Sequence, residues 1–280
     1  MEQLLSLLPD EHIKQVIPEV WKRIEEIRIG AGRPMLLRTP AQEIWIEPCF
    51  THSMIEQLVQ RICKQSVYAY QTTIRQGFVT LDGGHRVGIC GTGIYQGDTL
   101  TNITDLSSLA IRVARQVSGC ADGLIEMIED SALVIGPPCS GKTTLLRDFV
   151  RQLSDYRSQH VSLVDERGEL AAMVQGVPQM AVGIRTDVLT NIPKGQAMMM
   201  LLRTMNPKWI AVDEITAAED IRAMEQAAYC GVKLVATAHA SNLSELMQRP
   251  LYLDLMQRKI FKNLVVLHTD RSYTIEEVAI

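Results

Sequence analysis

The stretch Ala132-Leu133-Val134-Ile135-Gly136-Pro137-Pro138-Cys139-Ser140-Gly141-Lys142-Thr143-Thr144-Leu145-Leu146 decides the fold. Its centre reads G-x-x-x-x-G-K-T, the pattern of a phosphate-binding loop. The apolar run before it has buried-strand character. After it, Leu146, Phe149, Val150 and Leu153 recur at helical spacing. A strand, a tight glycine loop and a helix start together make an anion site, because backbone N–H groups converge and the helix dipole favours phosphate. Gly136, Pro137, Pro138, Cys139, Ser140, Gly141, Lys142, Thr143 and Thr144 are therefore the expected nucleotide-binding residues. Lys142 would reach the β- and γ-phosphates, and the Thr143 hydroxyl would hold Mg²⁺. ATP and Mg²⁺ are the cofactors implied.

Downstream, Trp209-Ile210-Ala211-Val212-Asp213-Glu214 is an apolar strand ending in two acids. Asp213 suits the metal, directly or through water, and Glu214 could polarise an attacking water as general base. Val161-Ser162-Leu163-Val164-Asp165-Glu166 repeats the design, with Glu169 close behind. In an open parallel sheet the carboxyl ends of strands face the ligand crevice. Asp165, Glu166 and Glu169 could thus share the base or metal role, or simply be the acids that favour a helix start. Thr237-Ala238-His239 ends another strand at that edge, and His239 could sense the γ-phosphate or be structural. Arg203 and Arg185 could pair with phosphate, in this chain or a neighbouring subunit, or be solvated.

Composition bounds the rest. The chain has 280 residues, 46% of them hydrophobic, enough for one large or two medium domains. Net charge is -4 and the isoelectric point is about 5.9, so no broad basic face is implied and no nucleic-acid partner is expected. The six cysteines are scattered without a C-x-x-C pair. That is neither a zinc pattern nor a dense disulfide framework, and it favours free thiols in a reducing cytoplasm. No apolar run is long enough to span a membrane, and the N-terminus lacks a signal-peptide pattern.

The halves differ in pattern. Early in the chain, 2–8 and 10–21 read as short helices, and 53–63 as an amphipathic one. Ile24–Ile29, Met35–Arg38, Glu43–Ile46 and Leu109–Val113 read as strands. Asp82-Gly83-Gly84 joins a hairpin between 77–81 and 86–89. Later, strands at 132–135, 160–164, 209–213 and 233–238 alternate with helices at 142–153, 194–205 and 217–229. That alternation argues an α/β fold with a mainly parallel sheet, finished by an antiparallel pair at 264–269 and 272–278. The expected domains are an α+β unit over 1–118, a linker over 119–130 and a nucleotide-binding unit over 131–280.

The order of phosphate loop, acid box, second acidic strand and T-x-H element resembles the traffic ATPases of type II and type IV secretion, which have a RecA-like P-loop fold. Leu202-Arg203-Thr204-Met205-Asn206-Pro207-Lys208-Trp209-Ile210-Ala211-Val212-Asp213-Glu214-Ile215 is similar to that family's L-R-x-x-x-P-D-x-I-x-x-G-E-I run. Asp213 stands where glycine is usual, and Lys208 where aspartate is. The acid box reads Asp165-Glu166 instead of Glu-Asp, with Glu169 kept. The N-terminal runs Glu26-Ile27-Arg28-Ile29-Gly30-Ala31-Gly32-Arg33-Pro34 and Gly83-Gly84-His85-Arg86-Val87-Gly88-Ile89-Cys90-Gly91 narrow the likeness to stage III sporulation proteins of endospore-forming bacteria. The resemblance implies a homo-oligomer, a hexameric ring ATPase in the cytoplasm. It would act with other stage III sporulation membrane proteins at a channel between mother cell and forespore, touching membrane only through those partners. It also implies that the N-terminal domain lends arginines to the nucleotide, Arg112 first and Arg86 second.

Overall fold

The computed structural model describes residues 2–63 and 77–278. The chain divides into two compact units, Met1–Arg115 with Val174–Gln179, and Gln116–Met173 with Met180–Ile280.

The first unit opens with three short helices, α1 (Glu2–Leu5), α2 (Asp10–Ile13) and α3 (Pro18–Trp21). The expected helix over 10–21 breaks in two because Pro18 cannot donate to a continuing helix and instead takes a first-turn position. Six strands follow: β1 (Glu26–Gly30), β2 (Met35–Arg38), β3 (Glu43–Ile46), β4 (Phe78–Thr80), β5 (Arg86–Gln96) and β6 (Thr99–Arg112). They form one antiparallel sheet in the order β3-β2-β1-β6-β5-β4. Ile27, Leu37, Ile111, Val87 and Val79 lie in register across it and are fully buried. Helix α4 (His52–Ile62) adds Ile55, Leu58, Val59 and Ile62 to the same core. Thr51 caps it, its hydroxyl accepting from Met54 N at 3.2 Å. Strands β5 and β6 run well beyond the short 86–89 and 109–113 segments expected. Their outer part is rich in Thr and Gly and mostly exposed, so it carries no apolar alternation to read. Val174–Gln179, from late in the chain, belongs to this unit, where Gln179 Oε1 accepts from Gly83 N at 2.8 Å.

The second unit starts at Gln116, and the stretch expected as a linker is not one. It contains α5 (Asp122–Met127), whose Leu124 and Ile125 are buried with Ala121 and Ile128 in the unit's core. Asp148 anchors it: a fully buried carboxylate accepting from Ala121 N at 2.9 Å. Gly119 and Gly123 give the segment a loop-like composition, but its apolar positions outweigh them.

The alternation then runs as expected: β7 (Ala132–Gly136), α6 (Lys142–Asp155), β8 (Val161–Asp165), β9 (Thr186–Thr190), α7 (Lys194–Thr204), β10 (Trp209–Val212), α8 (Ala218–Tyr229) and β11 (Lys233–His239). Two helices that the sequence reading lacks, α9 (Leu243–Met247) and α10 (Pro250–Gln257), precede β12 (Asn263–Leu267) and β13 (Tyr273–Glu277). The sheet order is β13-β12-β7-β11-β10-β8-β9, with only β13 antiparallel. Successive strand residues face opposite sides. Val134, Leu163, Ala211 and Val235 pack with Leu146, Phe149 and Val150 of α6 on one face. Leu133, Val164, Ile210 and Leu234 pack with α7 and α8 on the other. Strand β9 also escapes the sequence reading, because Thr-Asp-Val-Leu-Thr is half-buried throughout and shows no apolar face.

Candidate functional site

Because β7, β8, β10 and β11 are parallel, their carboxyl ends share one edge, and residues at or just beyond each strand end line it. There a cavity of about 470 Å³ is lined by Pro138, Cys139, Gly141, Lys142, Thr143 and Thr144 of the loop, and by Asp165, Glu166, Arg167, Glu169, Lys194, Asp213, Glu214, Thr237 and His239.

The loop is held by glycine at two places for different reasons. At Gly136 any β-carbon would lie 2.7 Å from both Leu267 O and Ser140 Oγ. Gly141 has φ +101, a conformation that L side chains rarely adopt. Lys142 is 6% exposed, and its Nζ donates to Gly136 O and Pro137 O at 2.8 Å each. Burial pushes the Lys142 ammonium below its ordinary pKa, against the pull of Asp213 and Glu214. Gly136 and Pro137 thus supply carbonyls to the lysine, and Ser140 is buried against Gly136.

Thr143 Oγ1 donates to Asp213 Oδ2 at 2.9 Å, and Thr237 Oγ1 donates to Asp213 Oδ1 at 2.5 Å. Thr237 of β11 and Thr143 in the first turn of α6 thereby converge on the one carboxylate that follows β10. One hydroxyl and one carboxylate side by side fit Mg²⁺, which takes few protein oxygens and completes its shell with water and phosphate. Glu214 sits in the left-handed region at φ +49, and Glu214 N donates to Thr237 Oγ1 at 2.7 Å. Its carboxylate lies between Arg167 (3.0 Å) and His239 Nε2 (3.3 Å). Backbone strain of this kind concentrates at functional sites.

Asp165 is corrected to a structural residue. It is 2% exposed and accepts from Glu169 N (2.8 Å), Leu170 N (3.0 Å) and Ala171 N (2.9 Å). Those bonds fold the segment after β8 into a turn and engage both carboxylate oxygens. Arg147 of α6, 8% exposed, secures the same turn by donating to Leu170 O (2.6 Å) and Glu169 O (2.7 Å). Glu166 and Glu169 do face the cavity, Glu166 paired with Lys194 at 2.6 Å.

The arginines fall elsewhere. Arg203 is exposed near the end of α7, whose first residue, Lys194, lines the cavity. At about 1.5 Å per residue that sets Arg203 roughly 14 Å along the axis, toward the opposite edge of the sheet. Arg185 lies at that edge too, where Val161 N bonds its carbonyl and its guanidinium donates to Ser154 O at 3.1 Å. Arg112 ends β6 in the first unit, exposed, and Arg86 lies over the Phe78 ring at 3.9 Å in that unit. Neither Arg203 nor Arg185 is among the residues that line the cavity.

The sequence reading missed Arg167 and Lys194 as cavity residues, and it set Thr237 at this edge without giving it a role. Lys194 was legible in principle: a lysine just after Pro193, at the start of a helix that follows a strand, must lie near the carboxyl edge. Arg167 carried no signal beyond adjacency to the acid box.

The chain matches the family described as "Sporulation stage III, protein AA" over residues 2–276. It is 35% identical over 273 residues to Stage III sporulation protein AA of Bacillus subtilis (strain 168), spanning 93% of this chain and 89% of that one. Among solved structures it is similar to the pilus retraction motor PilT with bound ADP, at TM-score 0.64 and 16% identity, covering 92% of this chain and 78% of that one. It is also similar to the Legionella pneumophila ATPase DotB, at TM-score 0.58 and 16% identity, covering 94% and 78%. At such identity these two show the fold: a RecA-like P-loop unit preceded by a smaller α+β unit. With the family match running through both units, this chain belongs to the sporulation stage III, protein AA family.

Proposed function

We propose that this protein is a Mg²⁺-dependent ATPase that turns ATP into ADP and phosphate. The observation that carries the reading is the convergence of Lys142, the Thr143–Asp213 pair and Glu214 on one cavity at the sheet's carboxyl edge. Thr143 Oγ1 and Asp213 would hold Mg²⁺, which when bound neutralises charge on the β- and γ-oxygens. Lys142 leaves the loop carbonyls and donates to phosphate oxygens, and the loop amides and helix dipole of α6 cradle the rest. Glu214 accepts a proton from the attacking water, with His239 holding its Oε1. The lining brings five carboxylates, Asp165, Glu166, Glu169, Asp213 and Glu214, against the cations Lys142, Arg167 and Lys194. That excess of negative charge repels a bare polyphosphate, so nucleotide should enter with its metal.

At larger scale the reading is a ring of copies, hexameric by analogy with secretion ATPases, on the cytoplasmic side of a membrane complex with other sporulation proteins. There it would energise assembly of, or transport through, a mother cell–forespore channel. No helix among the described residues is long and apolar enough to cross a membrane, so membrane contact would run through partners. A scaffold ring that binds ATP without turnover and a nucleic-acid translocase are the competing readings. Steady-state phosphate release with Mg²⁺, with EDTA, and with single-stranded or duplex DNA tests all three. Release that needs Mg²⁺ and ignores DNA supports the proposal; ATP binding without release supports the scaffold.

A further inference from the structure

The cavity holds a second lysine that the phosphate-loop pattern does not explain. Lys194 is the first residue of α7, and its side chain is 7% exposed. Its Nζ lies 2.6 Å from Glu166 Oε2 and donates to Thr216 Oγ1 at 3.3 Å. That is a costly place for a cation, since burial disfavours charge and a helix N-terminus already carries positive potential. Its ion-pair partner among the described residues is one carboxylate, itself 34% exposed. Lys142 stands in the same condition, its ammonium resting on two carbonyls of its own loop. Two buried ammoniums therefore face one cavity, each on a partner that a phosphate oxygen can replace. They come from different walls: Lys142 from the loop, Lys194 from the start of α7 beside the acids that end β8. A triphosphate seated on the loop extends its last group away from α6, toward the strand-end acids.

We propose that Lys194 binds the terminal phosphate of a bound nucleoside triphosphate, exchanging Glu166 for it, and so lets the site tell triphosphate from diphosphate. The inference rests on the nucleotide-binding reading above. It gives Glu166 a role as the placeholder for the terminal phosphate, distinct from the base role of Glu214.

The test compares affinities of the full chain for ADP and for the non-hydrolysable triphosphate AMP-PNP, both with Mg²⁺. In Lys194→Met, AMP-PNP affinity should fall on the order of tenfold, the loss of one charge-assisted contact, while ADP affinity stays as in the wild type. In Glu166→Gln, which removes the competitor, AMP-PNP should bind tighter and ADP unchanged. A purely structural ion pair would instead make the two variants behave alike. Equal losses for both nucleotides in Lys194→Met, or no loss, overturn the inference. If circular dichroism shows Lys194→Met unfolded, Glu166→Gln decides alone, and unchanged or weaker AMP-PNP binding overturns it. A wild-type protein that binds neither nucleotide overturns the underlying reading, and this inference with it.

Discussion

Glu214 is where the chemistry of the account is most exposed to test. It is held between the Arg167 guanidinium and the His239 imidazole, and by a strained backbone, and it adjoins the Thr143–Asp213 pair. Glu214→Gln keeps the shape and removes the base, so nucleotide affinity should persist while turnover falls by about 100- to 10,000-fold. Phosphate release near the wild-type rate in this variant would move the base role to Glu166 or Glu169. The neighbouring acid Asp165 is expected to behave otherwise. Asp165→Asn replaces one acceptor oxygen with a donor facing backbone N–H groups, which costs about 1–3 kcal/mol of stability, read as a lower denaturation midpoint. A variant as stable as the wild type would contradict the structural assignment. Both acids end strands at the same edge, and nothing in their local sequence separates the two roles. The difference arises from the turn at 169–171, which points three N–H groups back at Asp165 and none at Glu214. Residue identity made the site legible, and hydrogen bonding across the edge decided who does what in it.

Among the elements, the central strands of the second unit were legible because they are buried on both faces. Val161–Asp165 and Trp209–Val212 are buried at every position; the second reads as a continuous apolar run and the first as one interrupted only by Ser162 before its closing acid. Strand β9 and the outer parts of β5 and β6 were not, since half-buried threonines carry no periodicity. Helix α5 was hidden by the glycines around it, and its place in the core emerges only from Asp148, distant in sequence. The first unit offers its own test at the β4–β5 turn. His85 is 4% exposed, and its Nδ1 accepts from Ala114 N at 3.1 Å. Burial pulls its pKa below the ordinary 6.5. The unfolded chain therefore takes up a proton below about pH 6.5 that the folded chain refuses. The contribution is intact above that pH and is lost as pH falls from there toward the lower folded value. Denaturation midpoints measured between pH 7.5 and 5, pH values chosen to bracket this window, should drop more steeply for the wild type than for His85→Asn. Parallel slopes would show that His85 is not the group responsible.

At the scale of the whole molecule, arginines mark what the single chain leaves open. Arg203 and Arg185 were read as pairing with phosphate in this chain or a neighbouring subunit, or as solvated, and Arg112 as lent to the nucleotide by the family likeness; neither Arg203 nor Arg185 lines the cavity. An arginine supplied across a subunit boundary can raise turnover by orders of magnitude, so a ring would give such residues work. On that account specific activity rises with protein concentration. Mixing Arg112→Ala with Lys142→Ala subunits, each inactive alone, regenerates some activity, because some boundaries regain both groups. Full activity from a monomer, established by light scattering alongside phosphate release, contradicts the ring. Beneath this lies the central claim, that the loop from Gly136 to Thr144 binds and hydrolyses Mg²⁺-ATP, and one comparison reaches it directly. Phosphate release and ATP affinity are measured for the wild type and for Lys142→Ala, with folding checked by circular dichroism. The account predicts Mg²⁺-dependent release by the wild type, and in the folded variant a loss of binding or turnover worth several kcal/mol. Equal affinity and equal release in the two proteins would contradict it.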